Sequence, residues 1–147
     1  MRLVLELYAR NTNQWIVTTS SKLAVKALLK TAFPRRASPF GGYTTFEDVI
    51  ELKPHPEAYF KAIKNSSAEP KDSLAIEDSL IGYQAASASK LKTLITLSPW
   101  LNKIPKGINE TQIVVDSLGD QDNASIALQG NRLDSIITYE SLQSLIN

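Results

Sequence analysis

The stretch LAIEDSLIGYQAA, residues 74–86, decides the fold of this chain. Its apolar start, residues 74–76, predicts a buried strand that ends at two adjacent acids, Glu77 and Asp78. Ser79 can then cap the helix that follows. Carboxylates at the carboxyl end of a parallel strand lie where open α/β sheets bind their ligands. Two neighbouring anionic oxygen donors favour a hard cation such as Mg²⁺.

Composition and charge exclude several classes of protein. The chain has 147 residues, 43% of them hydrophobic and 21% charged, which is ordinary for one globular domain. The net charge of +1 provides no basic field for nucleic acid or an anionic membrane. The densest basic spot, residues 35–36, is interpreted as a solvated loop. No apolar run reaches the ~20 residues of a membrane span, and no signal peptide opens the chain.

Cysteine and histidine are nearly absent, which narrows the possible chemistry. Without cysteine there are no disulfides, thiol nucleophiles or thiolate metal sites, and a cytoplasmic location is expected. The single histidine, His55, lies between Pro54 and Pro56 and is interpreted as a turn residue rather than a catalytic base. Carboxylates, hydroxyls, lysines and backbone groups therefore remain for catalysis.

Strands alternate with helices along the chain. Short apolar runs predict the strands, and periodic segments with cap residues predict the helices. The predicted strands are 14–18, 43–45, 74–76, 92–97 and 113–115, and the predicted helices are 2–8, 23–31, 56–66, 81–89 and 139–145. This order predicts a parallel, three-layer α/β sheet in a single domain, residues 1–147.

The spacing of apolar residues predicts which helix faces are buried. The side chains expected to face inward are Ala24, Ala27 and Leu28 in the second helix and Tyr59, Phe60 and Ile63 in the third.

Hydroxyl-bearing residues follow the strand at 14–18. Thr18, Thr19, Ser20 and Ser21 precede a helix, and hydroxyls with the N–H groups of a helix start suit a phosphate group. The alternative interpretation is a helix cap alone.

Lys53 opens the sequence KPHPE, residues 53–57. The two prolines restrict the backbone, so the ammonium group is aimed in one direction. Lysine is a point charge suited to phosphate. The alternative interpretation of Lys53 is a solvated lysine. The alternative interpretation of Glu77 and Asp78 is an acidic loop with a helix cap.

Together these motifs resemble a known family. VTTSS (residues 17–21), LKPHPEAY (52–59) and AIEDSLIGYQAA (75–86) resemble the haloacid dehalogenase (HAD) superfamily, in its β-phosphoglucomutase-like or CbbY-like branch. The resemblance covers residues 14–98, and residues 118–128 look more loosely like cyanobacterial and plastid CbbY-like proteins. It implies a partial Rossmann-like HAD core with a parallel sheet.

The resemblance implies roles for the hydroxyls and the lysine. Thr19 would supply the phosphate-binding hydroxyl, with Ser20 next to it. If the alignment to the family is shifted by one residue, Thr18 takes this role instead. Lys53 would bind the transferring phosphoryl group and restrain a nucleophilic carboxylate.

The resemblance also implies a metal and a substrate. Glu77 and Asp78 would orient Mg²⁺, and Ser79 would support their loop. Such enzymes form an aspartyl-phosphate from a small phosphorylated sugar and then hydrolyse it or pass it on.

The chain departs from the family in one decisive respect: it contains no DxDG motif, which carries the nucleophile on the first strand of the family's sheet. The nearest look-alike, Asp120–Asn123, is interpreted as a turn. The helical cap and the first strand are also expected to be absent, as in a truncated C-terminal part. We therefore expect the chain to be inactive alone. The strands carrying Trp15 and Ile76 should expose unpaired edges at the gap.

Lys90 marks a smaller departure. The family usually has glycine at this helix end, where the backbone is left-handed. A lysine with that conformation costs on the order of 1 kcal/mol.

Other functions stay open at this stage. The chain is alternatively a non-catalytic remnant or binding module, or one half of a split enzyme whose second polypeptide supplies the missing strand. A weaker alternative is a receiver-like phosphoacceptor domain, for which Asp116 is the candidate residue.

Overall fold

The computed structural model describes residues 1–34, 37–98, 103–104, 106–109, 112–130 and 134–146. The basic pair at 35–36 lies outside the described residues. Among the residues described, no helix is long and apolar enough to cross a membrane.

Helices and strands alternate over residues 2–96, as the sequence predicts. In chain order they are α1 (Arg2–Ala9), β1 (Trp15–Val17), α2 (Lys22–Ala32), β2 (Gly42–Thr44), α3 (Glu57–Ser66), β3 (Leu74–Glu77), α4 (Leu80–Ala88), β4 (Lys92–Thr96), β5 (Ile113–Val115), β6 (Ala127–Gln129) and α5 (Tyr139–Ile146). Short 3₁₀ turns cover Phe46–Asp48 and Pro70–Asp72. Among the strands in the described part of the chain, β6 is the one that the sequence does not predict.

The strands form two separate sheets. In the first, β1 pairs with β2 in parallel, with Trp15 opposite Gly42. In the second, the order is β3-β4-β5-β6; the first three strands are parallel, and β6 is antiparallel to β5. Within the described ranges no strand joins β1 to β3. The predicted parallel α/β sheet is therefore confirmed, with a break at the position where the family's first strand is expected.

Helices cover both faces of the larger sheet. Leu94 and Ile95 are neighbours on β4, are both fully buried, and point to opposite faces. The Leu94 side packs against α1 and α5 through Leu3, Leu7 and Leu142. The other face packs against α3 and α4. This arrangement is the three-layer architecture expected from alternating strands and helices.

The buried faces of two helices differ from the prediction. In α2 the expected inward residues Ala24, Ala27 and Leu28 are exposed, and Val25 is buried instead. A face through Leu28 and a face through Val25 are both compatible with helical spacing, so spacing alone does not determine how the helix is rotated about its axis. In α3, Tyr59 is buried as predicted, but Phe60 is 51% exposed.

Ile76 is also more exposed than predicted. Its side chain is 37% exposed, whereas Ala75 on the opposite face of β3 is 5% exposed. Because β3 is the strand that borders the break, Ile76 lacks the neighbour that a central strand would have.

Two local predictions are confirmed. Lys90 has φ +62°, the left-handed conformation expected at that helix end. Asp120 forms a turn in which its Oδ1 accepts hydrogen bonds from the backbone N–H groups of Asp122 and Asn123, at 2.9 and 2.8 Å.

Candidate functional site

The ammonium group of Lys53 lies between the carboxyl ends of β1 and β3. Its Nζ donates a hydrogen bond to the Val17 carbonyl at 3.1 Å and another to Glu77 Oε1 at 2.5 Å. The side chains of Lys53 and Glu77 are each 7% exposed. Lys53 therefore links the last residue of β1 to the last residue of β3, across the break between the sheets.

The first residue of α3 holds the loop that carries Lys53. Glu57 accepts hydrogen bonds from the backbone N–H groups of Ile50 and Glu51, the latter at 2.8 Å. The Lys53–Pro54 peptide bond within this loop is cis. The hydrogen bond from Glu51, followed by that from Lys61, lowers the pKa of Glu57 to about 2. Glu57 thus begins α3 and, through its charged carboxylate, also holds the loop in place.

Asp48 fixes the other end of the same loop. It forms an ion pair with Lys22 of α2 at 2.7 Å and accepts a hydrogen bond from the Thr45 backbone N–H at 2.9 Å. The hydrogen bond from Lys22 is the main cause of a pKa of about 2 for Asp48. Lys61 donates to the Asp48 carbonyl, which joins α3 to this turn.

Tyr59 contacts both members of the Lys53–Glu77 pair. Its hydroxyl donates a short hydrogen bond to Glu77 Oε1, and its ring centroid lies 5.0 Å from Lys53 Nζ. Burial, reinforced by the negative charges of Glu77 and Asp78, raises the pKa of Tyr59 far above its ordinary value. The phenol therefore stays protonated and acts as a hydrogen-bond donor.

The start of α4 is shaped around the Glu77 carboxylate. A Cβ atom on Gly82 would lie 1.8 Å from Glu77 Oε2, so any side chain there would force the carboxylate to move. Ser79 caps the helix, as predicted, by accepting a hydrogen bond from the Gly82 N–H at 3.1 Å. The Ser79 hydroxyl also lies 3.5 Å from Glu77 Oε2.

The two adjacent acids have different surroundings. Glu77 is buried and paired with Lys53, whereas Asp78 is exposed. Among the described residues, no group of three or more histidine, cysteine, aspartate or glutamate side chains could hold a metal ion. A hard cation prefers six or more oxygen ligands, so Asp78 and the engaged Glu77 do not complete a metal site by themselves.

The hydroxyl residues lie just beyond β1. The Thr18 hydroxyl accepts a hydrogen bond from the Ser20 N–H at 3.1 Å, which forms a tight turn. Ser21 caps α2 through the Ala24 N–H at 3.1 Å. Thr19 and Ser20 are exposed. The Thr18 hydroxyl is thus used within the turn.

Two further candidates lie apart from this site. His55 is exposed, and its Nδ1 accepts a hydrogen bond from the Glu57 N–H at 3.3 Å, in keeping with a turn residue. Asp116 follows β5, two strands from β3, and its Oδ1 accepts a hydrogen bond from the Ile126 N–H at 2.7 Å. The Asp116 carboxylate thus serves the β5–β6 connection, and the structure does not favour a receiver-like site.

Sequence reasoning missed the polar role of Tyr59, which it assigned to the apolar stripe of α3. The available signal was a hydroxyl on an otherwise apolar, buried helix face, in the same motif as Lys53. Buried polar groups are normally hydrogen-bonded, so that hydroxyl required a partner.

Comparisons with known proteins agree with this fold. A family model described as haloacid dehalogenase-like hydrolase matches residues 1–96. The CbbY protein of Rhodobacter capsulatus is 31% identical over 86 residues, which span 58% of this chain and 38% of that protein.

Solved structures of CbbY from Rhodobacter sphaeroides are similar as well. The complex with phosphate has a TM-score of 0.71 at 26% identity, covering 79% of this chain and 51% of that one. A mutant in complex with xylulose-(1,5)bisphosphate has a TM-score of 0.72 at 26% identity, covering 82% and 55%. This chain therefore spans about half the length of these structures, and 38% of the R. capsulatus protein.

The family match covers most of the chain, and it includes the loop that carries Lys53 and the strand that ends at Glu77. This chain belongs to the haloacid dehalogenase-like hydrolase family.

Proposed function

We propose that this chain carries the phosphate-binding and cation-binding part of a phosphatase or phosphomutase site, and that it is inactive without an added nucleophile. One observation carries the proposal: the buried ammonium of Lys53 lies at the ends of β1 and β3, 2.5 Å from Glu77 and beside the strand end that bears Asp78. A cation fixed next to carboxylates at this sheet edge suits phosphoryl transfer, which depends on positioning and charge neutralisation.

Lys53, Thr19 and Ser20 would bind the phosphoryl group. Thr19 and Ser20 are exposed residues just beyond β1, whose last carbonyl accepts a hydrogen bond from Lys53. Lys53 would therefore approach the same phosphate as the two hydroxyls. Phosphate at this edge would exchange the Glu77 contact for one with the substrate, or share the ammonium between them.

The nucleophile would come from elsewhere. The chain has no DxDG motif, and its nearest look-alike, Asp120, is held in a turn by Asp122 and Asn123. A segment carrying the motif, either continuous with this chain or on a second polypeptide, would pair with the free edges of β1 and β3. The separate sheets and the exposed Ile76 support this proposal.

Mg²⁺ would be held only in the completed site. Asp78 is the exposed carboxylate and Glu77 the buried one, and carboxylates of the added segment would supply the ligands that these two lack. When bound, the ion would supply charge neutralisation for the phosphate.

A small phosphorylated sugar is the substrate class that we propose. The related CbbY structures were solved with phosphate and with xylulose-(1,5)bisphosphate. The site in this chain offers one ammonium and two hydroxyls to a phosphate, which matches the group that those two ligands share.

The test is phosphate release from sugar phosphates in the presence of Mg²⁺. The chain alone should show none, and the chain joined to a DxDG-bearing segment should show turnover that Asp78→Ala abolishes. Loss of a covalent nucleophile costs ~10⁶ in rate in enzymes of this kind, so the two samples should differ clearly. The proposal that the chain is inactive alone would be wrong if the chain alone showed Mg²⁺-dependent turnover that Asp78→Ala abolishes. If the joined protein folds but releases no phosphate, the proposed phosphate-binding and cation-binding site is wrong.

A further inference from the structure

We propose that Tyr59 is a positioning residue of this site: its hydroxyl fixes the Glu77 carboxylate, and through it the ammonium of Lys53. The purpose of this positioning, to hold Lys53 for phosphate, rests on the proposed function. The contacts of Tyr59 do not depend on it. The geometry itself involves three elements, since Tyr59 lies on α3, Glu77 ends β3 and Lys53 lies in the loop before α3.

Both donors meet at one oxygen. Glu77 Oε1 accepts the Tyr59 hydroxyl and the Lys53 ammonium, and the Tyr59 ring lies 5.0 Å from the same ammonium. One residue therefore contacts both partners of a pair whose side chains are 7% exposed. Charge-assisted hydrogen bonds of this kind are about twice as strong as neutral ones.

The other carboxylate oxygen lies in the space that Gly82 leaves open. Glu77 Oε2 occupies the space where a side chain on Gly82 would lie, 1.8 Å from the position of its Cβ. Ser79 lies 3.5 Å away and adds only a weak contact. Oε2 therefore lies against the start of α4, and Oε1 is the oxygen that accepts from both Tyr59 and Lys53. The Tyr59 hydroxyl thus fixes the oxygen that Lys53 contacts.

A buried tyrosine on the next helix provides a matched control. Tyr83 of α4 is 8% exposed, close to the 6% of Tyr59. Among the residues described here, its hydroxyl has no hydrogen-bond partner. Tyr59→Phe and Tyr83→Phe therefore remove the same oxygen from equally buried rings, but only the first removes a contact with Glu77.

The experiment follows the side-chain ammonium of Lys53 by ¹H–¹⁵N NMR in the whole chain, at low temperature and mildly acidic pH. In the parent chain its signal should be resolved and protected from exchange with water. Tyr59→Phe should speed that exchange by about tenfold, as expected for one lost hydrogen bond, and Tyr83→Phe should leave it unchanged. Equal exchange rates in the parent chain and in Tyr59→Phe would overturn the proposal.

Folding stability is decisive too. Because the Lys53–Glu77 pair joins the two sheets, Tyr59→Phe should also be less stable in urea than Tyr83→Phe, and equal stability of the two variants would contradict the proposal. Neither measurement needs turnover. If the chain joined to a DxDG-bearing segment releases no phosphate, the proposed function is refuted, but the result on Tyr59 still holds.

Discussion

Lys53 and Glu77 form a buried ion pair that joins two unconnected sheets. The Lys53 Nζ lies 2.5 Å from Glu77 Oε1 on β3 and 3.1 Å from the Val17 carbonyl on β1. No ladder of hydrogen bonds links those strands among the residues described. The pair thus belongs both to the candidate site and to the packing of the chain.

Removal of Lys53 should therefore weaken the fold. Lys53→Met leaves the Glu77 carboxylate buried without its ion partner, and breaking one side of a buried pair costs about 3–5 kcal/mol. Urea unfolding should show this loss. Lys64→Met is the control, because Lys64 is an exposed residue of α3 and its replacement should change stability by less than about 0.5 kcal/mol. Equal stability of the two variants would show that the pair contributes nothing.

Gly82 should not tolerate a side chain. In most helices Gly→Ala adds up to about 1 kcal/mol of stability, but here the new Cβ would lie 1.8 Å from Glu77 Oε2. We expect Gly82→Ala to destabilise by about 1–3 kcal/mol, since the carboxylate must shift away from Lys53. Ser87→Ala, at an exposed site of the same helix, should change stability by no more than about 0.5 kcal/mol. A stabilised Gly82→Ala variant in thermal melts would contradict this packing.

Stability should fall in acid through Asp48 and Glu57. The pKa of each is lowered to about 2, from ordinary values of 3.8 and 4.5. A carboxyl whose pKa is lower in the folded state stabilises the fold above its unfolded pKa, and this is lost as the pH falls towards the folded value. The free energy of unfolding should therefore decrease from about pH 4.5 to pH 2. Asp48→Asn and Glu57→Gln should flatten this decrease in urea titrations at stepped pH. An unchanged slope in both variants would refute the assignment.

Lys90 should be replaceable by glycine with a gain. Its φ of +62° is left-handed, a conformation that costs a residue with a side chain on the order of 1 kcal/mol. Lys90→Gly should raise the free energy of unfolding by about that amount. Lys90→Ala keeps the Cβ atom and should gain little. A similar gain in both variants would mean that loss of the lysine side chain, and not relief of strain, is responsible.

Sequence patterns predicted most elements of this fold because local rules fix them. The caps at Ser21 and Ser79 and the left-handed Lys90 depend on a few neighbouring residues. The rotation of α2 was not predictable in this way. A face through Leu28 and a face through Val25 are both compatible with helical spacing, and only the tertiary packing of α2, which buries Val25, decides between them.

Part of the candidate site was predictable and part was not. Lys53, Glu77 and Asp78 stand out because charged residues at strand ends are informative. The separate surroundings of Glu77 and Asp78 depend on Tyr59 and Gly82, which approach from two different helices. Strand β6 and its antiparallel pairing also depend on contacts distant in sequence, which local patterns do not report.

The most direct test of the account is whether the break between β1 and β3 accepts a strand. Amide hydrogen exchange would be measured on the chain with and without a peptide that carries a DxDG strand. A scrambled peptide of the same composition is the control. We expect slower exchange along the free edges of β1 and β3, at Val17 and Ile76 among other residues, together with a higher melting temperature. Unchanged exchange at both edges with a peptide present in excess would contradict the account.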